Sequence, residues 1–371
     1  MSRDIYPDSW CEIHLGRIAC NLDLALGLVP PGRKLCAVLK ADAYGHGIEK
    51  VVPLMMAGGI DCIGITSNAE AFAVRDAGFD GPMIRVRAAS TGEIDAALEA
   101  RVEEQVASLE VAERLVALRD AGHPVRAHLA LNSLGMSRDG LEISTEEGRA
   151  TCLSIVKRLA GNIVGICTHF PSNTPEDLRS SADLFRDHVA WVFENSPLER
   201  SEVLVHAGSS LTLVSGEPVE TDMYRCGAIL YGILNPELGF RTTMDLKARV
   251  VSVGEYPAGA TVGYDKGFRL GSDRRLACLS IGYANGFRRG RTPDAAVMLA
   301  GRAAPVLGKV SMNTIVADVS DIDGIAPGDE AMVFGGIADT RDSLETTERQ
   351  FRTIMADLYA DWGLRNARVY R

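Results

Sequence analysis

From Ile13 to about Pro236, short runs of consecutive apolar residues alternate with longer stretches whose apolar positions recur every three or four residues. The short runs suit strands buried on both faces, and the longer stretches suit helices with one face on a core. The pattern predicts strands at Leu35 to Leu39, Cys62 to Thr66, Pro82 to Val86, Glu104 to Ser108, Val125 to Leu131, Ile163 to Thr168, Glu202 to His206 and Ala228 to Tyr231. Helical periodicity fills the gaps, for example Ser67 to Ala77, Glu93 to Glu99, Glu110 to Ala121, Glu146 to Leu159 and Asp183 to Asn195. Eight strand and helix repeats predict an α/β fold, a (β/α)₈ (TIM) barrel over residues 13–240, close to the roughly 250 residues that such a barrel takes.

Past Arg241 the texture changes to β-rich segments punctuated by glycine and proline: Lys247 to Tyr256, Arg275 to Ser280, Ala296 to Leu299, Ala304 to Val310, Thr314 to Val319 and Glu330 to Phe334. A helix over Leu344 to Asp361 and a short strand around Arg368 to Tyr370 complete a mainly β domain over residues 241–371, joined by residues 1–12.

Of the 371 residues, 46% are hydrophobic and 24% charged, which allows a large core in more than one domain. A net charge of -10 disfavours nucleic acid and anionic membranes, so the expected ligand is small. No apolar run approaches the roughly 18 residues of a membrane span, and the polar start lacks an export signal, so the expectation is a cytoplasmic protein, or a periplasmic one if a leader has been trimmed. The eight cysteines form no CxxC and no zinc-ligand spacing, so no metal is expected. Cys36 and Cys62 sit at equivalent depth in consecutive strands. A disulfide there would contribute roughly 3 to 4 kcal/mol, but buried free thiols are the default.

Barrels of this kind bind ligands at the carboxyl ends of their strands, and the polar residues that follow each run are therefore candidates. Lys40 and Tyr44 follow the first, in AVLKADAYGHG. A desolvated lysine amine loses its charge readily and attacks carbonyls. Asn132, Met136 and Arg138 follow the fifth run, His169 ends the sixth, and His206, Ser209 and Ser210 follow the seventh. Arg225 and Gly227 border the eighth. Ser210 with the amides of Gly227 and Ala228 suits a phosphate, because loops after strands seven and eight often hold one. An amine for a carbonyl, a phosphate cradle and a cation between them describe pyridoxal phosphate.

The segments AVLKADAYGHG, GMSR, THF, YRCG with LYG, YPAGATVGYD, IGYANGFRR and GKVSMNT resemble the alanine racemase family nearly end to end. HLALNSLGMSRDGLE and DLYADWGLRNARVY are closer to its broad-specificity subgroup. The resemblance implies pyridoxal-phosphate racemases that work as homodimers with shared active sites. It makes Lys40 the Schiff-base lysine and one acid–base group, and Tyr264 of a second copy the other. His169 and Arg225 would support that phenol, and Arg225 would face the cofactor ring. Tyr44, Ser210, Gly227 and Ala228 would hold the phosphate. Arg138 and the Met312 amide would hold the substrate carboxylate, with Tyr283 at the entrance.

Two departures from the strict alanine enzymes stand out. Ala130 occupies the position where the strict enzymes often carry a lysine, sometimes carbamylated, and Asn132 replaces an aspartate, so Asn132 or a bound anion must orient Arg138. Leu364 stands where the family has a phosphate-binding tyrosine, which implies a wider pocket. The expected activity is therefore racemisation of alanine and of larger amino acids such as lysine, arginine and serine. The alternatives are a strict alanine racemase supplying D-alanine, a decarboxylase on the same scaffold, and a non-catalytic cofactor carrier.

Overall fold

Eight parallel strands close into a barrel in the computed structural model, which describes residues 7–335 and 341–371. In chain order they are Lys34–Val38, Cys62–Ile65, Met83–Ala88, Glu103–Val106, Ala127–Ala130, Ile163–Cys167, Leu204–His206 and Met223–Cys226. The first pairs with the last through Leu35 opposite Tyr224 and Cys36 opposite Arg225, which closes the ring. Ala127, Leu129, Ile166, Val205 and their neighbours are buried among helices on one side and barrel interior on the other, which is why these strands read as continuous apolar runs.

Serine and threonine caps set where the outer helices begin. Ser67 opens Asn68–Asp76 with a capping box, its Oγ accepting the Glu70 N–H while the Glu70 carboxylate accepts the Ser67 N–H. Thr174 caps Pro175–Glu194, so this helix starts well ahead of the predicted Asp183. Its proline fits the first turn, where no N–H is needed.

The eighth strand lies earlier than predicted. Met223–Cys226 forms it, and the apolar run Ala228–Tyr231 is a 3-10 turn. Hydrophobicity favours the wrong segment, because the strand carries the buried Arg225 while the turn after it has no charged residue. The shift places Arg225 on the strand itself and leaves Gly227 and Ala228 just beyond its carboxyl end.

Of the described residues, the second compact unit comprises 7–21, 44–47, 231–335 and 341–371. Its eight-stranded sheet runs Arg274–Leu279, Ile315–Asp318, Arg302–Leu307, Ala296–Leu299, Glu330–Phe334, Met244–Tyr256, Ser9–Ile13, Ala367–Tyr370. Arg274–Leu279 also pairs with Met244–Tyr256, closing the first six strands on themselves. The predicted helix over Leu344 to Asp361 is two helices, Arg341–Phe351 and Met355–Arg365. The break falls at Arg352, whose φ of 53° is left-handed and ends the first helix. Among the described residues no helix is long and apolar enough to cross a membrane, and no cluster of side chains suits a metal ion.

Candidate active site

Lys40 follows the first barrel strand by two residues, and the chain then turns left-handed over Ala41, Asp42, Ala43 and Tyr44, with φ between 53° and 57°. Such residues cost roughly 1–2 kcal/mol each, so the turn must be held by its surroundings. The Ala41 N–H donates to Glu70 Oε1 at 2.8 Å, the Ala43 N–H to the Leu39 carbonyl at 2.8 Å, and the Ile48 N–H to Asp42 Oδ1 at 2.8 Å. Glu70 ties the turn to the second strand through its other oxygen, which accepts the Thr66 N–H at 2.7 Å. Tyr44 and His46 both lie against the Tyr231 ring, in the second unit. Gly45 has φ +81°, and a Cβ there would stand 2.2 Å from the Tyr359 carbonyl oxygen, so no other residue fits.

Within the barrel unit, Lys40, Arg138, His169 and Arg225 act on one another electrostatically. Lys40 is exposed at the strand end, yet partial desolvation lowers its pKa, Arg138 lowers it further, and Glu70 opposes both. The His169 imidazole, open to solvent on one side, is pushed down to about 4 by desolvation and then by Arg225, Arg138 and Lys40. A chain with a net charge of -10 thus gathers cations at one place.

Arg138 sits on a pinned loop. Asn132 Oδ1 accepts the Ser137 N–H at 3.0 Å, and Asn132 Nδ2 donates to Glu142 Oε2 at 2.8 Å. The Asn132 and Leu141 amides close the loop onto the Leu141 and Ala130 carbonyls. Asn132 therefore fixes the residue that precedes Arg138, while Arg138 Nε lies 3.6 Å from Asp139 Oδ1.

Arg225 is buried, and each of its acceptors is neutral. Nη1 donates to His206 Nδ1 at 2.8 Å and to the His206 carbonyl at 3.0 Å, and Nη2 donates to the Thr168 carbonyl at 2.6 Å. Among the described residues no carboxylate pairs with it, so its positive charge is not cancelled by direct contact. Ser210 is also buried, and its Oγ accepts the N–H groups of Gly227 (3.2 Å) and Ile229 (3.4 Å). The same hydroxyl hydrogen-bonds the Cys226 thiol, and Ala228 opens the 3-10 turn, where the first amides have no partner within the turn.

The second unit gathers Tyr264, Tyr283 and Met312 on neighbouring loops. The Tyr283 N–H donates to the Ser311 carbonyl at 3.1 Å, and the Ala284 N–H to the Met312 carbonyl at 2.9 Å. Tyr264 opens a tight turn held by an ion pair between Asp265 and Lys309 at 2.6 Å. All three side chains are exposed, Tyr264 by 59%. Leu364 is exposed as well. Cys36 and Cys62 are register partners on adjacent strands and remain free, buried thiols.

Sequence reasoning did not find Glu70, Glu103, His128 or Gly165. The Ser-Asn-Ala-Glu spacing of a capping box at Ser67 to Glu70 was a usable signal for the first. Glu103, His128 and Gly165 carry no such local signal, since polar residues also stand elsewhere in these runs, as Arg126 does beside His128.

The alanine racemase N-terminal domain model matches residues 13–235, and the C-terminal domain model matches residues 243–370. A broad specificity amino-acid racemase of Vibrio vulnificus is 40% identical over 366 residues, covering 98% of this chain and 89% of that relative. A lysine racemase of Proteus mirabilis is 36% identical, covering 98% of this chain and 90% of that relative. The alanine racemase of a D-cycloserine-producing Streptomyces lavendulae superposes with a TM-score of 0.89 at 26% identity, covering 99% of this chain and 98% of that one. A Bartonella henselae alanine racemase with covalently bound pyridoxal phosphate has the same fold, with a TM-score of 0.85 at 22% identity and coverage of 98% and 99%. With both halves matched and relatives aligned along nearly its whole length, the chain belongs to the alanine racemase family and is a racemase.

Proposed function

We propose that the protein is a pyridoxal-phosphate-dependent amino-acid racemase of broad side-chain range, acting as a homodimer. The observation that carries this reading is Lys40 exposed at a strand end, its charge disfavoured by partial desolvation and by Arg138, with His169 and Arg225 in the same field. The donors fit the cofactor: an amine for its carbonyl, a buried Ser210 hydroxyl and the Ala228 amide for its phosphate, and an uncancelled Arg225 cation for its ring nitrogen. Gly227 would act through Ser210, because its amide is already spent on that hydroxyl. When bound, pyridoxal phosphate supplies a conjugated ring that accepts electrons from the substrate α-carbon.

The chain's own groups do the rest. Arg138 holds the substrate carboxylate with a forked cation, and Asn132 keeps the loop under it from shifting. The Met312 amide of a second copy would hold the same carboxylate from the other side. Lys40 moves a proton on one face of the α-carbon, and the Tyr264 phenol of the second copy moves one on the opposite face, because inversion needs a group on each side. A phenol has an ordinary pKa near 10 and loses its proton more easily beside a cation. Arg225 would stand near that phenol as a cation, and His169, neutral because its pKa is pushed down to about 4, as a hydrogen-bonding partner. Arg225 cannot give up a proton and disfavours a second positive charge on the ring nitrogen, which keeps chemistry at the α-carbon and argues against decarboxylation. Tyr44 would join the phosphate donors, and Tyr283 would border the entrance. The exposure of Tyr264, Tyr283 and Met312 supports the dimer, since large apolar side chains clustered at a surface favour cover.

The relatives named for broad specificity and for lysine support a range beyond alanine, as does Leu364 in place of a tyrosine. Incubation with L-alanine, L-lysine, L-arginine and L-serine separately, followed by chiral chromatography, tests this. Formation of the D-enantiomer from all four is expected. Turnover of alanine alone would establish the strict alanine racemase instead.

A further inference from the structure

Two buried arginines of the barrel are treated differently. Arg85 is met directly by a carboxylate, with Nε 2.8 Å and Nη2 3.0 Å from the two oxygens of Glu104. Arg225 is met by an imidazole, and the imidazole by another. His206 Nε2 lies 2.8 Å from His128 Nδ1, and His128 Nε2 lies 2.8 Å from Glu103 Oε2. Glu103 Oε1 accepts from Arg126 Nε at 2.5 Å, and the Arg126 side chain is 57% exposed. The four buried members come from the fourth, fifth, seventh and eighth strands, so the chain of bonds crosses the barrel interior.

Elementary donor counting fixes every proton in it. A guanidinium has no lone pair to offer, so His206 Nδ1 must be the acceptor and carries no hydrogen. The His206 proton therefore sits on Nε2 and is donated to His128 Nδ1. That leaves the His128 proton on Nε2, donated to the Glu103 carboxylate. A further proton on either ring would set hydrogen against hydrogen at one of these contacts. The chain runs in one direction, from Arg225 through two neutral imidazoles to a carboxylate.

Space is set aside for it. Gly165, on the sixth strand, leaves the room that the His128 ring occupies, and a Cβ there would stand 2.0 Å from His128 Nδ1. The two rings meet edge to face, with centroids 4.9 Å apart and planes at 83°.

We propose that Glu103 and His128 are positioning residues for the racemase: they fix the tautomer of His206 and through it the facing of Arg225 toward the cofactor ring. The proposal rests on the reading of Arg225 given above. The carboxylate at the far end specifies which nitrogen of each imidazole is bare, so Arg225 is oriented without being neutralised. Direct pairing with a carboxylate, as at Arg85, would orient it equally well but cancel the charge that the ring nitrogen meets.

The test is ¹⁵N spectroscopy of histidine-labelled holoenzyme together with steady-state kinetics. In the unaltered protein at pH 8, His128 and His206 are expected to carry the proton on Nε2 with Nδ1 bare. In Glu103→Leu the His206 signal should become a mixture of tautomers. Its kcat should fall roughly 10- to 100-fold, as for loss of a group that orients another, with KM nearly unchanged because Arg138 lies outside the chain. Glu103→Gln, which still offers an oxygen to His128, should restore the tautomer and most of kcat. If Glu103→Leu does not fold, Gly165→Ala, which displaces the His128 ring, should give the same mixture and the same loss of kcat. A proton on Nδ1 of either histidine in the unaltered enzyme overturns the proposal. So does wild-type kcat and tautomer in whichever of Glu103→Leu and Gly165→Ala folds. Failure to racemise any amino acid with the expected tautomers present would overturn the functional reading and leave the bond chain standing.

Discussion

The Ala41 N–H donates to Glu70 Oε1 at 2.8 Å, joining the residue after Lys40 to the helix that follows the second strand. Four consecutive left-handed residues would relax if released, at roughly 1–2 kcal/mol of strain each. A hydrogen bond to a charged group contributes about 1.5–3 kcal/mol, enough to hold one or two of them. Glu70→Ala is therefore expected to weaken cofactor retention more than overall folding. Dialysis against buffer should strip the variant of cofactor absorbance while the native enzyme keeps it, with the thermal midpoint lowered by only a few degrees. Equal retention in the two proteins would show that the turn holds itself.

Lys40 attacks a carbonyl only as the neutral amine, and partial desolvation together with Arg138 lowers its pKa from the ordinary 10.5. The rate at which cofactor-free protein takes up pyridoxal phosphate should rise with pH and level off below the pH at which a free lysine would. Arg138→Gln removes one of the two effects that lower the pKa, so its uptake profile should move to higher pH. Stopped-flow absorbance across pH 6 to 10 measures both curves. An unmoved curve, or a shift toward lower pH, would show that Arg138 does not act on the amine. Lys40→Ala should form no covalent cofactor band at any pH.

Much of this was legible in the residues, for reasons that differ from place to place. Lys40 was visible because a lysine ending an apolar strand run before a Tyr-Gly-His-Gly turn is a strong local anomaly. The eighth strand was misplaced because Ala228–Tyr231 is the more apolar run, whereas the strand itself, Met223–Cys226, carries Arg225, and only the closure of Lys34–Val38 onto it tells them apart. Glu103 and His128 were invisible for a deeper reason. Their partners lie across the barrel interior, 25 residues apart for Glu103 with His128 and 78 for His128 with His206, and no periodicity encodes such a meeting. Tyr264 was reached only by family resemblance, since an exposed aromatic in a Gly-Tyr-Asp turn carries no signal of its own.

If Lys40 and Tyr264 serve opposite faces, removing one should not abolish proton exchange for both enantiomers. Tyr264→Phe keeps the ring and loses the hydroxyl. Racemisation should fall by roughly 10² to 10⁴, the usual contribution of an acid–base group. In deuterium oxide, the enantiomer whose proton Lys40 takes should still exchange its α-hydrogen without inverting, as mass spectrometry coupled to chiral separation would show. Complete loss of exchange for both enantiomers, or racemisation at the native rate, would contradict the two-sided arrangement.

The buried imidazole at His206 also predicts how the fold responds to acid. Desolvation, then Arg225 and His128, hold its pKa well below the ordinary 6.5. Below about pH 6.5 the unfolded chain binds a proton there that the native protein refuses, so native stability falls by up to about 1.4 kcal/mol per pH unit from this group. Above that pH its contribution is constant. His169, pushed down to about 4, and His188, lowered mainly by burial, act in the same direction over the same range. Carboxylates held low, such as Glu103, begin to lose stability only below their unfolded value of about 4.3. Urea midpoints at pH 7.5, 6.5 and 5.5 should therefore stay level over the first interval and drop over the second. His206→Gln should flatten that drop by about 1 kcal/mol while lowering stability at neutral pH, because Arg225 and His128 lose their shared partner. Parallel curves for the two proteins would mean that His206 takes up its proton in the native state, and that the neutral tautomer facing Arg225 is not the one present.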